Sequence, residues 1–240
     1  TVLDIPVTFK DGALSYTPVN YDSTFHGPVS IRTALGSSYN IPAVKMLATV
    51  GVDEMIKTAR DLGITTLNET NRYGLSLTLG GGEVKMIDMM SVYGTLANLG
   101  YKKYPTPFLK ITDSNGNILE EYSSEKKLVL EPQIAYLITD ILKDNRARTP
   151  AFGNSSLLNI PGYEIAVKTG TSDSKRDNLT FGYTPKYVVG VWVGNSDNSP
   201  MNPMLSSGVT GAAPIWNKIM QILLTRQPIG LAFKRPPGIV

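Results

Sequence analysis

Not one cysteine occurs in the 240 residues of this chain, which removes thiol nucleophiles, thiolate metal sites and disulfides together. Histidine is nearly absent too: His26 stands alone, so a metal centre built on two or three imidazoles is excluded. A Ser-His-Asp triad would have to use His26, set in Tyr21-Asp22-Ser23-Thr24-Phe25-His26-Gly27-Pro28. Nothing there resembles a strained nucleophile turn, and a loop histidine beside Gly-Pro reads as structural. Proton transfer at neutral pH therefore falls to Lys, Glu, Asp or Tyr with a shifted pKa. Neither a cofactor nor a metal is called for. The charge excess is small, 23 basic against 20 acidic residues, and no basic stripe interleaves with aromatics, so nucleic acid is not an expected partner. Apolar runs fall short of a membrane span and no secretory signal opens the chain. An anchor or export signal of the parent protein would lie outside this sequence.

What is present divides the chain in two, a helical first half and a helix-flanked antiparallel sheet. Thr1 to Gly27, rich in Pro, Asp and Tyr, reads as extended or looping chain. Pro28 is expected to open a helix towards Leu35, and a second helix carries Pro42 in its first turn, with Asn40 placed to cap it. Asp53 to Leu62 ends at Gly63, a left-handed terminator. Glu83 to Leu99 is helical, and its Met86, Met89, Met90, Tyr93 and Leu96 recur as a core stripe. Asp113-Ser114-Asn115-Gly116 signals a hairpin between Phe108–Thr112 and Asn117–Tyr122. Pro132 starts a helix to about Leu142. Tyr163 to Val167, Leu179 to Tyr183 and Tyr187 to Val193 are β-branched and aromatic, and predict a meander. A closing helix spans Ala212 to Leu224, with Ile215, Trp216, Ile219, Ile222 and Leu223 on one face. Residues 1–226 form the domain, and the Pro/Gly-rich, basic segment 227–240 reads as an exit linker.

Lys168-Thr169-Gly170-Thr171 is the most informative run, placed where the first meander strand passes into a polar loop. An ammonium, two hydroxyls and a residue without a side chain suit an acidic, peptide-like ligand. Gly170 lets a backbone approach, and Thr169 and Thr171 can donate to a carboxylate. A second candidate, Ser38-Tyr39-Asn40, sits at the break between two helices. Ser-x-Asn followed far downstream by Lys-Thr-Gly is the motif order of penicillin-recognising serine acyltransferases.

Longer segments carry a more specific resemblance. Phe25-His26-Gly27-Pro28-Val29-Ser30, Ser38-Tyr39-Asn40-Ile41-Pro42-Ala43-Val44, Tyr73-Gly74-Leu75-Ser76-Leu77 and Gly82-Glu83-Val84 resemble the transpeptidase domain of bifunctional, class A penicillin-binding proteins. So do Phe181-Gly182-Tyr183-Thr184-Pro185, Val189-Gly190-Val191-Trp192-Val193-Gly194 and Phe233-Lys234-Arg235-Pro236-Pro237-Gly238. The similarity implies an α/β fold of α+β type, a penicillin-binding-protein/β-lactamase-like fold with a helical subdomain beside an antiparallel sheet flanked by helices. It implies acyl transfer from D-Ala-D-Ala stem peptides of peptidoglycan, inhibition by β-lactams, and a parent anchored at the extracytoplasmic face of a bacterial membrane. Carried over residue by residue, it makes Ser38, Asn40 and Lys168 catalytic and Thr169, Gly170 and Thr171 ligand-binding.

One departure stands against that agreement. The family's nucleophile lies in a Ser-x-x-Lys ahead of its Ser-x-Asn, and none precedes Ser38. The literal matches, Ser123 to Lys126, Ser124 to Lys127 and Ser172 to Lys175, fall in a charged stretch or a loop, in the wrong order. Ser196-Asp197-Asn198 follows the Lys-Thr-Gly and reads as a turn. The expectation is a transpeptidase domain incomplete at its N-terminus, inactive by itself, whose partners include the upstream part of its own domain. Two other readings stay open: a non-catalytic stem-peptide recognition or assembly module, and a D,D-carboxypeptidase or β-lactamase-like hydrolase.

Overall fold

Residues 1–11, 14–123, 125–202 and 207–239 are described by the structure, a computed structural model. Its elements are, in order, β1 (Val2–Asp4), β2 (Phe9–Asp11), β3 (Leu14–Tyr16), β4 (Gly27–Val29), α1 (Ile31–Gly36), α2 (Asn40–Val50), α3 (Val52–Leu62) and α4 (Met86–Ala97). There follow β5 (Tyr101–Lys103), β6 (Lys110–Thr112), β7 (Ile118–Glu121), β8 (Lys126–Leu128), α5 (Pro132–Lys143), α6 (Asn145–Phe152), β9 (Ala166–Thr171), β10 (Asp177–Tyr183), β11 (Val188–Gly194) and α7 (Ala212–Leu224). The mixed α/β architecture agrees with the class expected.

The pattern of cores explains the two halves. In the helical half, Val44 and Leu47 of α2 and Ile56 of α3 bury against Ile64, Leu67, Leu75 and Leu77. Beyond it, β9, β10 and β11 form an antiparallel sheet in the order β11-β10-β9. Alternation along β9 sends Ile165 and Val167 towards Trp216, Met220 and Leu224 of α7. The other sheet face meets α4 and α5, where Ala166 and Tyr183 pack with Leu96, Ala135, Tyr136 and Leu142. Tyr183 also donates to or accepts from Thr139 of α5 at 2.8 Å, which satisfies a phenol buried completely. Between α4 and α5 the strands β5 and β8 pair, and the β6–β7 hairpin inserted between them turns where Asp113 accepts from the amides of Asn115 and Asn117.

Several boundaries differ from expectation for identifiable reasons. Pro28 does not open a helix; it lies in β4 opposite Leu3, on a two-stranded pair where its missing N–H costs no ladder bond to a second neighbour. α1 starts at Ile31, capped by Ser30, whose hydroxyl accepts from the Thr33 amide at 3.0 Å. α4 is shorter than expected, and Met86 at its start is exposed, whereas Met89 packs into the helical core and Leu96 is buried. The buried face of α7 is Ala212, Ala213, Trp216, Asn217, Met220 and Leu224; Ile215, Ile219 and Ile222 are exposed. Residues 227–239, expected as a linker, lie along the body. Phe233 is buried edge-on against Tyr183 and its amide donates to Glu164, while Gln133 donates to the Pro237 carbonyl. Val240 and Ser124 lie outside the described residues. Ser196-Asp197-Asn198 is a turn, closed by the Asn198 amide on the Asn195 carbonyl.

Candidate active site

The Ser-x-Asn loop is shaped by how α1 ends. Ser37 occupies the cap, and Ser38 follows it in the left-handed region, φ 60°. The Ser38 amide donates to the Leu35 carbonyl and the Tyr39 amide to that of Ala34, the paired bonds of a Schellman stop. Glycine is the usual occupant of that left-handed position, because a β-carbon is strained there. A serine held in it reads as strain retained for the hydroxyl. Ser38→Gly and Ser38→Ala both delete that hydroxyl, but only glycine relieves the backbone. The glycine variant is expected to be more stable than the alanine variant by about 1 kcal/mol, measured by chemical denaturation.

Three contacts fix the loop from below. The Ser37 hydroxyl donates to the Ala147 carbonyl of α6 at 2.9 Å. Gly36 packs so closely on Ala147 that a β-carbon would lie 2.8 Å from the alanine's own. On the other side Tyr39 is buried and stacks on His26, ring centroids 3.9 Å apart. His26 bonds Asp4 at 2.6 Å and Asp22 at 3.1 Å, so it clasps β1 to the loop and has a structural place, as expected.

Asn40 does not cap α2. Tyr39 holds the cap position without a side-chain bond, and the cap is supplied by Asn20, whose Oδ1 accepts from the amides of Asn40 and Ile41 at 2.9 and 3.3 Å. Asn20 is itself oriented by donating to both oxygens of Asp4. Freed from capping, the Asn40 side chain donates to the Val19 carbonyl at 2.8 Å, which leaves its Oδ1 able to accept.

Lys168-Thr169-Gly170-Thr171 makes up the last four residues of a strand. β9 starts at Ala166, later than expected, and continues to Thr171, with Lys168 opposite Phe181, Thr169 opposite Thr180, Gly170 opposite Leu179 and Thr171 opposite Asn178. Polar residues persist in this strand because it is an edge: among the described residues it pairs only with β10, so one side stays open. Alternation puts Lys168 and Gly170 on the face towards the helical half, and Thr169 and Thr171 on the α7 face. There the Thr171 hydroxyl accepts from the Gly208 amide at 3.1 Å, and Gly208 sits so near Thr169 that a β-carbon would lie 2.8 Å from the threonine's.

Folding brings the two motifs together across 130 residues of sequence. The Lys168 ammonium donates to the Ser38 hydroxyl at 2.6 Å and to the Thr169 carbonyl at 2.8 Å. Burial first, and repulsion from Arg148 second, push the Lys168 pKa down to about 8. Arg148, Asn20 and Gly208 were not singled out from the sequence. An interior arginine four residues past Asp144 in a polar helix gave no pattern to read, and the roles of Asn20 and Gly208 run through backbone bonds to distant segments.

This arrangement can bind an extended, carboxylate-ended ligand along an open strand edge and move a proton between an amine and a hydroxyl. Among the described residues there is no cluster of His, Asp and Glu fit for a metal ion, and no helix is long and apolar enough to cross a membrane.

The family model described as penicillin binding protein transpeptidase domain matches residues 4–221. The chain is 34% identical over 224 residues to penicillin-binding protein 1A of Clostridium acetobutylicum, covering 91% of this chain and 26% of that protein. It is 32% identical over 231 residues to penicillin-binding protein 2D of Bacillus subtilis, covering 94% and 32%. With penicillin-binding protein 1B of Vibrio cholerae it shares 30% over 242 residues, covering 100% and 30%. The chain thus spans between a quarter and a third of the length of these relatives. The crystal structure of penicillin-binding protein 1A from Haemophilus influenzae superposes with a TM-score of 0.86 at 23% identity, covering 100% of this chain and 41% of that one. The Mycobacterium tuberculosis PonA1 protein in complex with penicillin V gives 0.84 at 24%, covering 99% and 66%. At those identities the structures bear on the fold alone.

Proposed function

The chain belongs to the penicillin-binding protein transpeptidase family of peptidoglycan synthesis, and from that premise we propose that it forms the ligand-binding and proton-relay wall of a serine D,D-transpeptidase. The reaction cross-links stem peptides outside the cytoplasm. The observation that carries this reading is the 2.6 Å contact between Lys168 and Ser38.

An extended D-Ala-D-Ala terminus lies along the open side of β9, where Gly170 presents no side chain and the strand's free backbone groups meet the peptide. Thr169 and Thr171 border the same edge from the α7 side and bind the terminal carboxylate. Asn40 accepts from a ligand amide through Oδ1. The nucleophilic serine is supplied by residues other than these 240. Its hydroxyl adds to the penultimate carbonyl and gives its proton to a base that likewise lies outside these 240 residues, while the Thr171 amide supplies half of an oxyanion hole. As the peptide C–N bond breaks, Ser38 passes its proton to the departing D-alanine amine and regains one from Lys168. An amine of a neighbouring stem then takes the acyl group, and protons return by the same path. A β-lactam presents its ring carbonyl and carboxylate to the same groups and stops at the acyl stage.

Residues 1–240 alone are therefore expected to form no covalent adduct. A fluorescent penicillin mixed with this polypeptide and run on a denaturing gel should leave no labelled band, and the intact enzyme should label. A stable adduct on any serine of residues 1–240 would overturn the assignment of the nucleophile.

A further inference from the structure

Asn20 is buried, with 3% of its surface exposed, and both polar atoms of its side chain are engaged. Its Nδ2 donates to the two oxygens of Asp4, at 2.9 and 2.8 Å, and to the Thr24 carbonyl at 2.8 Å. With three acceptors on the nitrogen's side, Oδ1 faces the other way, where the amides of Asn40 and Ile41 reach it. The reverse orientation would set Oδ1 against a carboxylate and a carbonyl, so the network fixes which way this amide points. Asp4, which dictates the choice, has no exposed surface and is itself held by the His26 backbone amide at 3.1 Å and by the His26 ring.

Capping alone would not call for this arrangement. A serine, threonine or asparagine at position 39 would cap α2 locally, but Tyr39 stands there, committed to its stack on His26. The remote cap instead ties the Asn40 backbone to a residue 20 positions earlier in the chain. The Val19 carbonyl does the same for the Asn40 side chain, receiving its Nδ2 at 2.8 Å. Two consecutive residues of another segment thus hold the backbone and the side chain of Asn40, and turn its Oδ1 away from both.

We propose that Asn20 is a positioning residue for Asn40: anchored on Asp4, it fixes the first residue of α2 so that the Asn40 amide presents its oxygen to a ligand N–H. The inference rests on the transpeptidase reading for the ligand, and on the contacts alone for the positioning. A penicillin with an acylamino group offers that N–H, as a stem peptide offers a backbone amide. A carbapenem carries no acylamino group and has none to offer.

The test measures acylation rates of the intact enzyme with benzylpenicillin and with imipenem, followed by the mass of the acyl-enzyme. Asn40→Ala should slow benzylpenicillin by about tenfold and imipenem by no more than about threefold, since one ligand hydrogen bond is lost. Asn20→Ala should show the same preference, and the double variant should be no slower than Asn40→Ala, because both changes remove one contact. A merely structural role would slow both antibiotics alike and add to the effect of Asn40→Ala; either result overturns the proposal. Should Asn20→Ala fail to fold, Asp4→Asn decides. It keeps the size of the residue but sets an amide against the Asn20 amide, and it should give the same selective loss; equal losses refute the positioning. Hydrogen exchange at the Asn40 and Ile41 amides separates this inference from the reading it rests on. If Asn20→Ala speeds that exchange while Asn40→Ala shows no preference between antibiotics, Asn20 keeps its positioning role and the ligand role of Asn40 falls. Exchange unchanged from the unaltered protein would remove Asn20 from that role.

Discussion

Replacing Lys168 with methionine is expected to slow β-lactam acylation of the intact enzyme by about 10²- to 10⁴-fold while making the fold more stable at neutral pH. In the proposed reaction the first effect follows from the loss of the group that would return a proton to Ser38 across 2.6 Å. The second follows from linkage. The folded-state pKa of Lys168 is lowered from 10.5 to about 8, by burial and then by Arg148. Between those values the unfolded chain binds more protons than the folded one, so stability rises with pH through that window. Below it both states are protonated and the folded state bears the whole cost of a half-buried ammonium; above it both are neutral and the cost is gone. Methionine fills the same space without that cost but gives up the bonds to Ser38 and the Thr169 carbonyl, so its net advantage is about 1 kcal/mol below about pH 8. Urea denaturation at about pH 6 and about pH 10 should show the advantage shrinking as pH rises. A methionine variant that is less stable at both values, or equally favoured at both, would mean that Lys168 is not destabilised in the fold. The two effects together are the signature of a residue kept for chemistry at a cost in stability.

How much of this was legible in the sequence varies element by element. The bounds of α7 were read correctly, because an apolar run between Gly211 and the polar Thr225-Arg226-Gln227 admits little else. Its inner face was not. Isoleucines at 215, 219 and 222 satisfy a helical period as well as the true face does, but α7 approaches the sheet through Ala212 and Ala213, both with no exposed surface. Small residues allow that approach, and Asn217 turns inward because the Leu157 carbonyl receives its amide at 2.7 Å. Periodicity registers hydrophobicity, not which side has room. For β9 it was the start that was read too early, at Tyr163 instead of Ala166; the polar Lys168 to Thr171 at its end are permitted in a strand by the open edge. Pro28 misled because proline suits both a helix start and an edge strand. The site is a mixed case. Ser38 and Lys168 were named through motif order and resemblance, which carry spatial information that composition lacks. The left-handed backbone at Ser38, the capping of α2 by Asn20 and the buried charge of Arg148 had no such signal, since each is a relation between segments far apart in the chain.

Trp216→Ala should cost about 3–5 kcal/mol of stability, the largest loss expected from a single side chain remote from the chemistry. Trp216 has no exposed surface and lies at the centre of the cluster joining α7 to β9 and β11. Its ring fills the space left by Gly182 on β10, where a β-carbon would come within 2.3 Å of the indole. Helix and sheet are therefore matched at one spot by a large residue on one side and the smallest on the other, and alanine leaves a cavity that the sheet closes only in part. Its indole N–H has no hydrogen-bond partner among the described residues, so part of what the ring contributes is already offset by an unpaired donor. Trp216→Phe removes that donor and keeps most of the volume; it should cost about 1–2 kcal/mol, well below the alanine variant. The consequence for the site is specific. β10 carries Thr180 and Phe181, the register partners of Thr169 and Lys168, so a sheet that settles into the cavity shifts the Lys168 ammonium from Ser38. Guanidinium denaturation of the three proteins would order them, with the midpoint of the Lys168 pH titration, followed by NMR, as the second readout. An alanine variant within about 1 kcal/mol of the unaltered protein would mean that α7 does not brace the sheet, and that the 2.6 Å contact at its edge is maintained from the helical side alone.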